Sequence, residues 1–327
     1  MMRTLPGLLL TCLLLTGCLE RRETLTVARD GSLTMEATFE GPVGEFNGAA
    51  LLPSREGGWA VEQEEREKGD DTERTVRARQ RFAADQWPES FASGDDVEVG
   101  LRFPTELTIE RRRDGVYYHF VRVYEPRQLQ RYKRHQEIFS KVWEEKFGEL
   151  EFAEADPKTQ KEAVGLLRDY ELGRQLEYVE AGLAEVEEDW PLDLQLDTRA
   201  AFRRAYLTVD LDSLVELLND ETGDEDIEAV AAATQEEARE NMATLLKQRG
   251  RRRAEVDRFF AAIDREERVH KITEDLADET FEVSLNLPGE VVAHDGRLEG
   301  NTVIWGFLGE GLMDRRQILR ATSRLRR

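Results

Sequence analysis

The stretch VYYHFVRVYEP, Val116 to Pro126, runs directly into RQLQRYKRHQEIFSKVWEEKF, Arg127 to Phe147, and the two halves obey different periods. The first crowds β-branched and aromatic residues into a short run closed by proline, which is the pattern of a strand. In the second, Tyr132, Phe139, Val142, Trp143 and Phe147 recur at helical spacing and fall on one face. The hydrophobic period therefore changes from two to about 3.6 at Pro126. Residues 20 to 125 read as a meander of strands, and a long segment after them reads as helices.

Upstream, Leu25 and Val27 alternate with polar residues up to Asp30-Gly31, and Leu33, Met35 and Phe39 resume beyond it, the pattern of a tight hairpin. A looser segment from Gly41 to Gly58 follows. Trp59 to Glu67 and Thr72 to Phe82 flank Gly69-Asp70-Asp71, and Val99 to Arg112 and Val116 to Tyr124 flank Asp114-Gly115. These hairpins predict a meander. Downstream, Asp156-Pro157 opens a helix as cap and first-turn proline, and Trp190-Pro191 ends it. Within it Leu172, Leu176, Val179, Leu183 and Val186 form a short seam. A third helical run is expected from Thr198 to Asn219, closed by Gly223. Asp224 starts another, which Gly250 and three arginines interrupt. The seams are too short for an extended coiled coil and predict a bundle of four or five helices. After Glu279 the period returns to two through Phe281, Val283, Leu285 and Leu287, and Trp305 marks a further strand.

The expected fold is α+β: a β-rich meander sheet domain interrupted by a long, bundle-like helical insertion. The boundaries are a signal segment at 1–17, β-rich sequence at 18–125, the acidic helical insertion at 126–279, a completing hairpin at 280–310 and a basic tail at 311–327. A lone C-terminal hairpin is marginal in water, so it should complete the first sheet.

The 327 residues carry 68 acidic and 46 basic side chains, a net charge of −22. That balance excludes a general nucleic-acid binder, which needs a basic surface to neutralise phosphates. No apolar run approaches the length of a membrane-spanning helix, so a polytopic membrane protein is excluded too. Arg3 followed by Leu8 to Leu15 reads as a secretory signal. Leu15-Thr16-Gly17-Cys18 resembles the lipobox of bacterial lipoproteins. That resemblance implies cleavage between Gly17 and Cys18, acylation of the Cys18 thiol, and a membrane lipid as the first partner. The expected location is the bacterial envelope, anchored to a membrane and facing the periplasm or the exterior. Several acyl chains on one cysteine exceed what stable anchoring requires. Cys12 leaves with the signal, so no intramolecular disulfide is expected.

The lipobox, Asp30-Gly31-Ser32, Leu287-Pro288-Gly289-Glu290-Val291, Gly296, Gly300-Asn301-Thr302-Val303 and Trp305 together resemble the LppM-type lipoprotein domain of mycobacteria and other bacteria. The resemblance covers the two ends of the chain. It implies an α+β envelope domain without established catalysis, and binding of envelope lipids or glycolipids. The helical segment is far larger than a compact domain of that type carries, and arginines stand where relatives often have a hydrophobic C-terminal span.

No catalytic motif emerges. The four histidines, His119, His135, His270 and His294, stand in no zinc-binding arrangement, and no nucleophile elbow or phosphate-cradling loop is present. Neither a metal nor a cofactor is expected. Asp220 to Asp226 is acidic, but lacks the glycine and glutamate of a calcium loop and reads as a solvated connection. Arg315, Arg316, Arg320, Arg324, Arg326 and Arg327, with Ile318, Leu319 and Leu325, would make a short basic amphipathic helix. It is either a second membrane contact or a tail that neutralises acidic helices. Trp59, Tyr117, Phe120 and Trp305 line an apolar ligand cleft or are simply core. The function expected is therefore binding or scaffolding, an envelope protein docking on the helical insertion. The alternatives are an envelope lipid carrier or sensor, and a hydrolase using acidic residues.

Overall fold

In the first strand, β1 (Glu20–Val27), every second side chain is buried, and the same alternation runs through β2 (Leu33–Pro42). The turn between them is closed by Asp30, whose carboxylate accepts from the Ser32 amide at 3.0 Å and the Ser32 hydroxyl at 2.7 Å. Gly31 supplies the positive φ of 85°. The computed structural model describes residues 19–47, 52–68, 71–92, 94–97, 99–127, 130–148, 150–219, 224–277 and 279–326. The segment expected to be a signal (1–17), Cys18, Arg327 and residues 220–223 of the acidic run lie outside the described residues.

The described residues divide into two units, one helical (131–267) and one β-rich (19–130 with 268–326). The β unit continues with β3 (Ala60–Lys68), β4 (Asp71–Phe82), β5 (Thr105–Arg112) and β6 (Gly115–Tyr124). After the helices come β7 (Thr280–Asn286), β8 (Glu290–His294), β9 (Arg297–Glu299), β10 (Thr302–Leu308) and β11 (Gln317–Leu325). They form not one meander but two sheets, ordered β3-β4-β2-β1-β7-β10-β9 and β5-β6-β11-β8. The expected completion of the first sheet takes a specific form: β7 pairs in parallel with β1, Glu20 opposite Thr280 and Thr26 opposite Asn286. A parallel pair needs a long crossover, and here the connection runs through β2 to β6 and then the whole helical unit.

The basic tail is the clear correction. Gln317–Leu325 is neither a helix nor a loose end but a central strand, antiparallel to β6 on one side and β8 on the other. Its period is two: Leu319, Ala321 and Ser323 are buried, while Arg320 is exposed and Thr322 and Arg324 are half-buried on the other side.

The helical unit contains α1 (Gln130–Phe147), α2 (Pro157–Glu185), α3 (Leu192–Leu207), α4 (Leu211–Asn219), α5 (Asp224–Gln248) and the greater part of α6 (Arg253–Ala277). Asp156 caps α2 as expected, accepting from the amides of Lys158 and Thr159, with Pro157 at the first helical position. The single run expected over 198–219 is two helices, because Asp210 takes the Asp212 amide at 3.0 Å and the Ser213 hydroxyl at 2.8 Å and so restarts the chain as a cap. One core joins Trp143, Phe152, Ala163 and Val164 to Phe139, Leu167, Leu211 and Leu218. Where α2 meets α6, Gly182 lies under Phe259 and Ile263, so close that a β-carbon there would stand 2.8 Å from Ile263.

Candidate functional site

Cross-strand partners share a face, so the register decides what the two sheets present to each other. On β1, Arg21, Glu23, Leu25 and Val27 point the same way, and all are buried. On β6, Tyr118, Phe120, Arg122 and Tyr124 form the corresponding row. The rows meet: Arg122 Nη1 donates to Glu23 Oε2 at 2.8 Å, with both side chains essentially out of solvent. Arg21 pairs more loosely with Glu279, at 3.6 Å, and its guanidinium lies over the rings of Phe39, Phe91 and Phe281. The Arg122 guanidinium covers Phe103 and Tyr124. Burial pushes the Tyr124 phenol far up, so it stays neutral. The result is a charge-balanced set, two arginines against two glutamates, enclosed in aromatic rings.

Of the residues expected to line a ligand cleft, Phe120 and Trp305 do meet, ring centroids 6.4 Å apart, and Trp87 closes the other side of Phe120 at 6.2 Å. Trp305 is fixed through its indole N–H, which donates to Asp295 at 2.7 Å. Trp59 belongs to a different cluster, against Phe82 and Phe91. Tyr117 lies on the outer face of β6, stacked on His119 and donating to Asp114 at 2.6 Å. That bond holds the Asp114 carboxyl below its ordinary value. A single cleft lined by all four is not formed, because successive residues of a strand point to opposite faces. The inward members are core.

The histidines stand apart. His119 is half-buried and lies 3.2 Å from Thr322, His135 is 2.8 Å from Glu177, His270 is buried 3.3 Å from Glu274, and His294 lies 2.7 Å from the Gly296 carbonyl. Among the described residues no group of three or more His, Cys, Asp or Glu side chains converges as metal ligands, and no helix is long and apolar enough to cross a membrane.

The end of the β unit nearest Cys18 is the second element of the site. Leu19 is already buried, and its carbonyl accepts from the Thr280 amide at 3.0 Å. Leu19, the residue directly after Cys18 in the sequence, is thus already part of the sheet's end. The same end holds the roots of the helical insertion. Arg127, just past β6, donates to the carbonyls of Gly100 at 2.9 Å and Val99 at 2.8 Å and to the Thr273 hydroxyl at 3.0 Å. The expected arginines divide by position. Arg324 pairs with Asp114 and Arg326 with Glu290 at the far end of β11, and Arg320 sits midway. Arg315 and Arg316 precede the strand and are exposed.

Sequence reading missed Arg21, Glu23, Arg122, Glu279 and Arg127. The first three were signalled by parity, since Arg21 and Glu23 extend the Leu25-Val27 row and Arg122 lies between Phe120 and Tyr124.

No family model matches the chain, and no curated protein does. Among solved structures, the NMR structure of the folded domain of the Mycobacterium tuberculosis LppM protein is similar. That likeness has 9% sequence identity, covers 95% of this chain and 92% of that chain, and reaches a TM-score of 0.26. Superposition at that level carries no residue-by-residue correspondence, and the site described above stands on its own geometry.

Proposed function

We propose that this chain is a bacterial envelope lipoprotein, acylated at Cys18, that works by binding and not by catalysis, with its helical unit as the surface on which an envelope protein docks. One observation carries the docking reading. On α3 the side chains of Leu192, Leu196 and Leu207 are 67%, 56% and 57% exposed. At 100° per residue they fall, with Arg203, within a stripe of roughly 60°. The opposite face of the same helix buries Leu194, Ala201 and Ala205, so α3 is apolar on two sides, of which only that one is covered among the described residues. Exposed leucines aligned on one stripe mark an interaction surface, whereas scattered ones do not.

The test places a photo-crosslinking amino acid at Leu196 of the lipidated full chain in its own envelope. A discrete protein adduct that disappears in the L192E/L207E variant is the expected result. Adducts to lipid alone, or an adduct indifferent to those substitutions, would refute docking by this face. Separately, Cys18→Ser should move the protein from the membrane fraction to the soluble fraction. Membrane retention by that variant would refute the anchor.

A further inference from the structure

Resting on the reading that Cys18 is acylated, we infer that the β unit makes a second contact with the bilayer, through Leu308, Arg315 and Arg316, and that lipid phosphates are what the two arginines take. The argument starts from the tether. Because Leu19 is buried and bonded to Thr280, there is no slack between the acylated residue and the sheet. One residue spans at most about 3.6 Å. Acyl chains on Cys18 therefore hold the sheet end at the headgroups, and whatever else lies on that end lies there too.

The register says what does. Glu20 faces Thr280, and Thr280 faces Leu308 across the next ladder. Two strand spacings put Leu308 roughly 10 Å from Glu20, which is two residues past the tether. Leu308 is 59% exposed at the last position of β10. Directly after it the backbone turns back, the Gly309 amide donating to the Glu279 carbonyl at 2.7 Å, and Leu312 and Met313 are buried beneath. Gly309 is packed so tightly against the end of α6 that a β-carbon would stand 1.6 Å from the Leu276 carbonyl oxygen, which fixes the turn's path. The turn thus buries two apolar residues and leaves a third exposed, beside two exposed arginines that make no ion pair among the described residues. Arg324 and Arg326, at the far end, are paired with carboxylates. Glu310 and Asp314 are exposed in the same connection and balance its charge. The contact is therefore short-range, guanidinium to phosphate with a leucine alongside, and not a long-range attraction of an acidic protein to an anionic surface.

The test uses the lipidated full chain in vesicles of phosphatidylethanolamine and phosphatidylglycerol. With Cys18 acylated and Cys12 removed, an introduced cysteine is unique. Leu308→Cys carries an environment-sensitive fluorophore at the proposed contact. Glu299→Cys carries it at the opposite end, since Glu299 pairs with Thr302, which pairs with Asn286. Blue-shifted emission and quenching by spin-labelled lipid at 308, with neither at 299, is the expected result. The R315S/R316S background should lower quenching at 308 several-fold while the acylated mass of the protein is unchanged. Equal insensitivity at both positions in a protein of acylated mass would overturn this contact and leave the anchor standing. Unchanged quenching in the double-serine background would overturn the phosphate assignment. An unmodified Cys18 mass would overturn anchor and contact together.

Discussion

The pair Arg122–Glu23 sits where a β-sandwich ordinarily places leucine. Taking two charges out of water costs several kcal/mol per ion, and the 2.8 Å contact offsets that cost only while both partners are present. Arg122→Met should thus leave the buried Glu23 carboxyl without its partner, and destabilise the β unit by about 3–5 kcal/mol in chemical denaturation. The double replacement E23L/R122M removes both charges and should recover most of that loss. If the double variant is as unstable as the single one, the pair's role is packing of the long Arg122 stem over Phe103 and Tyr124, not electrostatics. This is also where reading by hydrophobicity fails in an instructive way. The parity of β1 and β6 placed Arg21, Glu23 and Arg122 inward, but their charge argued outward, and parity won because aromatic faces and opposite charges received them.

Elements show the same contest between local chemistry and pairing. The change of period at Pro126, the Asp30-Gly31 turn and the Asp156-Pro157 start were legible because each is decided by residues a few positions apart. The strand β11 was not: its inward positions include Ala321 and Ser323, which no hydrophobic count flags, and its ladder partner β6 lies about two hundred residues earlier. Local caps lead to a pH prediction. The Thr159 hydroxyl and amide, which donate to Asp156, hold that carboxyl below its ordinary value. A group whose folded pKa is depressed stabilises fully above its unfolded pKa and loses that contribution as pH falls through the folded one. Asp156→Ala should therefore melt below the parent at neutral pH, and the gap should close as pH falls below about 4. A gap that stays constant through that range would assign the loss to something other than the ionised cap. Packing between elements gives a second contrast. Gly182→Ala drives a methyl into Phe259 and Ile263 and should cost about 1–3 kcal/mol. Gly165→Ala, whose nearest neighbour would be Leu211 at an ordinary 3.7 Å, should be neutral or slightly stabilising through helix propensity. Equal effects at the two glycines would mean that α2 and α6 do not depend on close approach there.

At the scale of the molecule, the helical unit is an insertion whose two roots meet inside the β unit. Arg127 Nη2 donates to the Val269 carbonyl at 3.3 Å, so the chain leaves and returns at nearly one place. All the strand pairings, both sheets and the Arg122–Glu23 pair lie outside residues 131–267. Removing that segment and joining 130 to 268 with a short Gly/Ser linker shortens the connection between β1 and its parallel partner β7 by about half. Loop-closure entropy varies so slowly with length that this changes the closing cost by only ~0.6 kcal/mol, in the stabilising direction. The shortened chain should thus unfold in one cooperative transition. It should keep Trp305 and Trp87 in their packed settings beside Phe120, readable by near-UV circular dichroism once Trp143 and Trp190 are gone with the insertion. A molten product without that signal would mean that the β sheets need the helices to fold, and that the insertion is part of the scaffold and not a module carried by it.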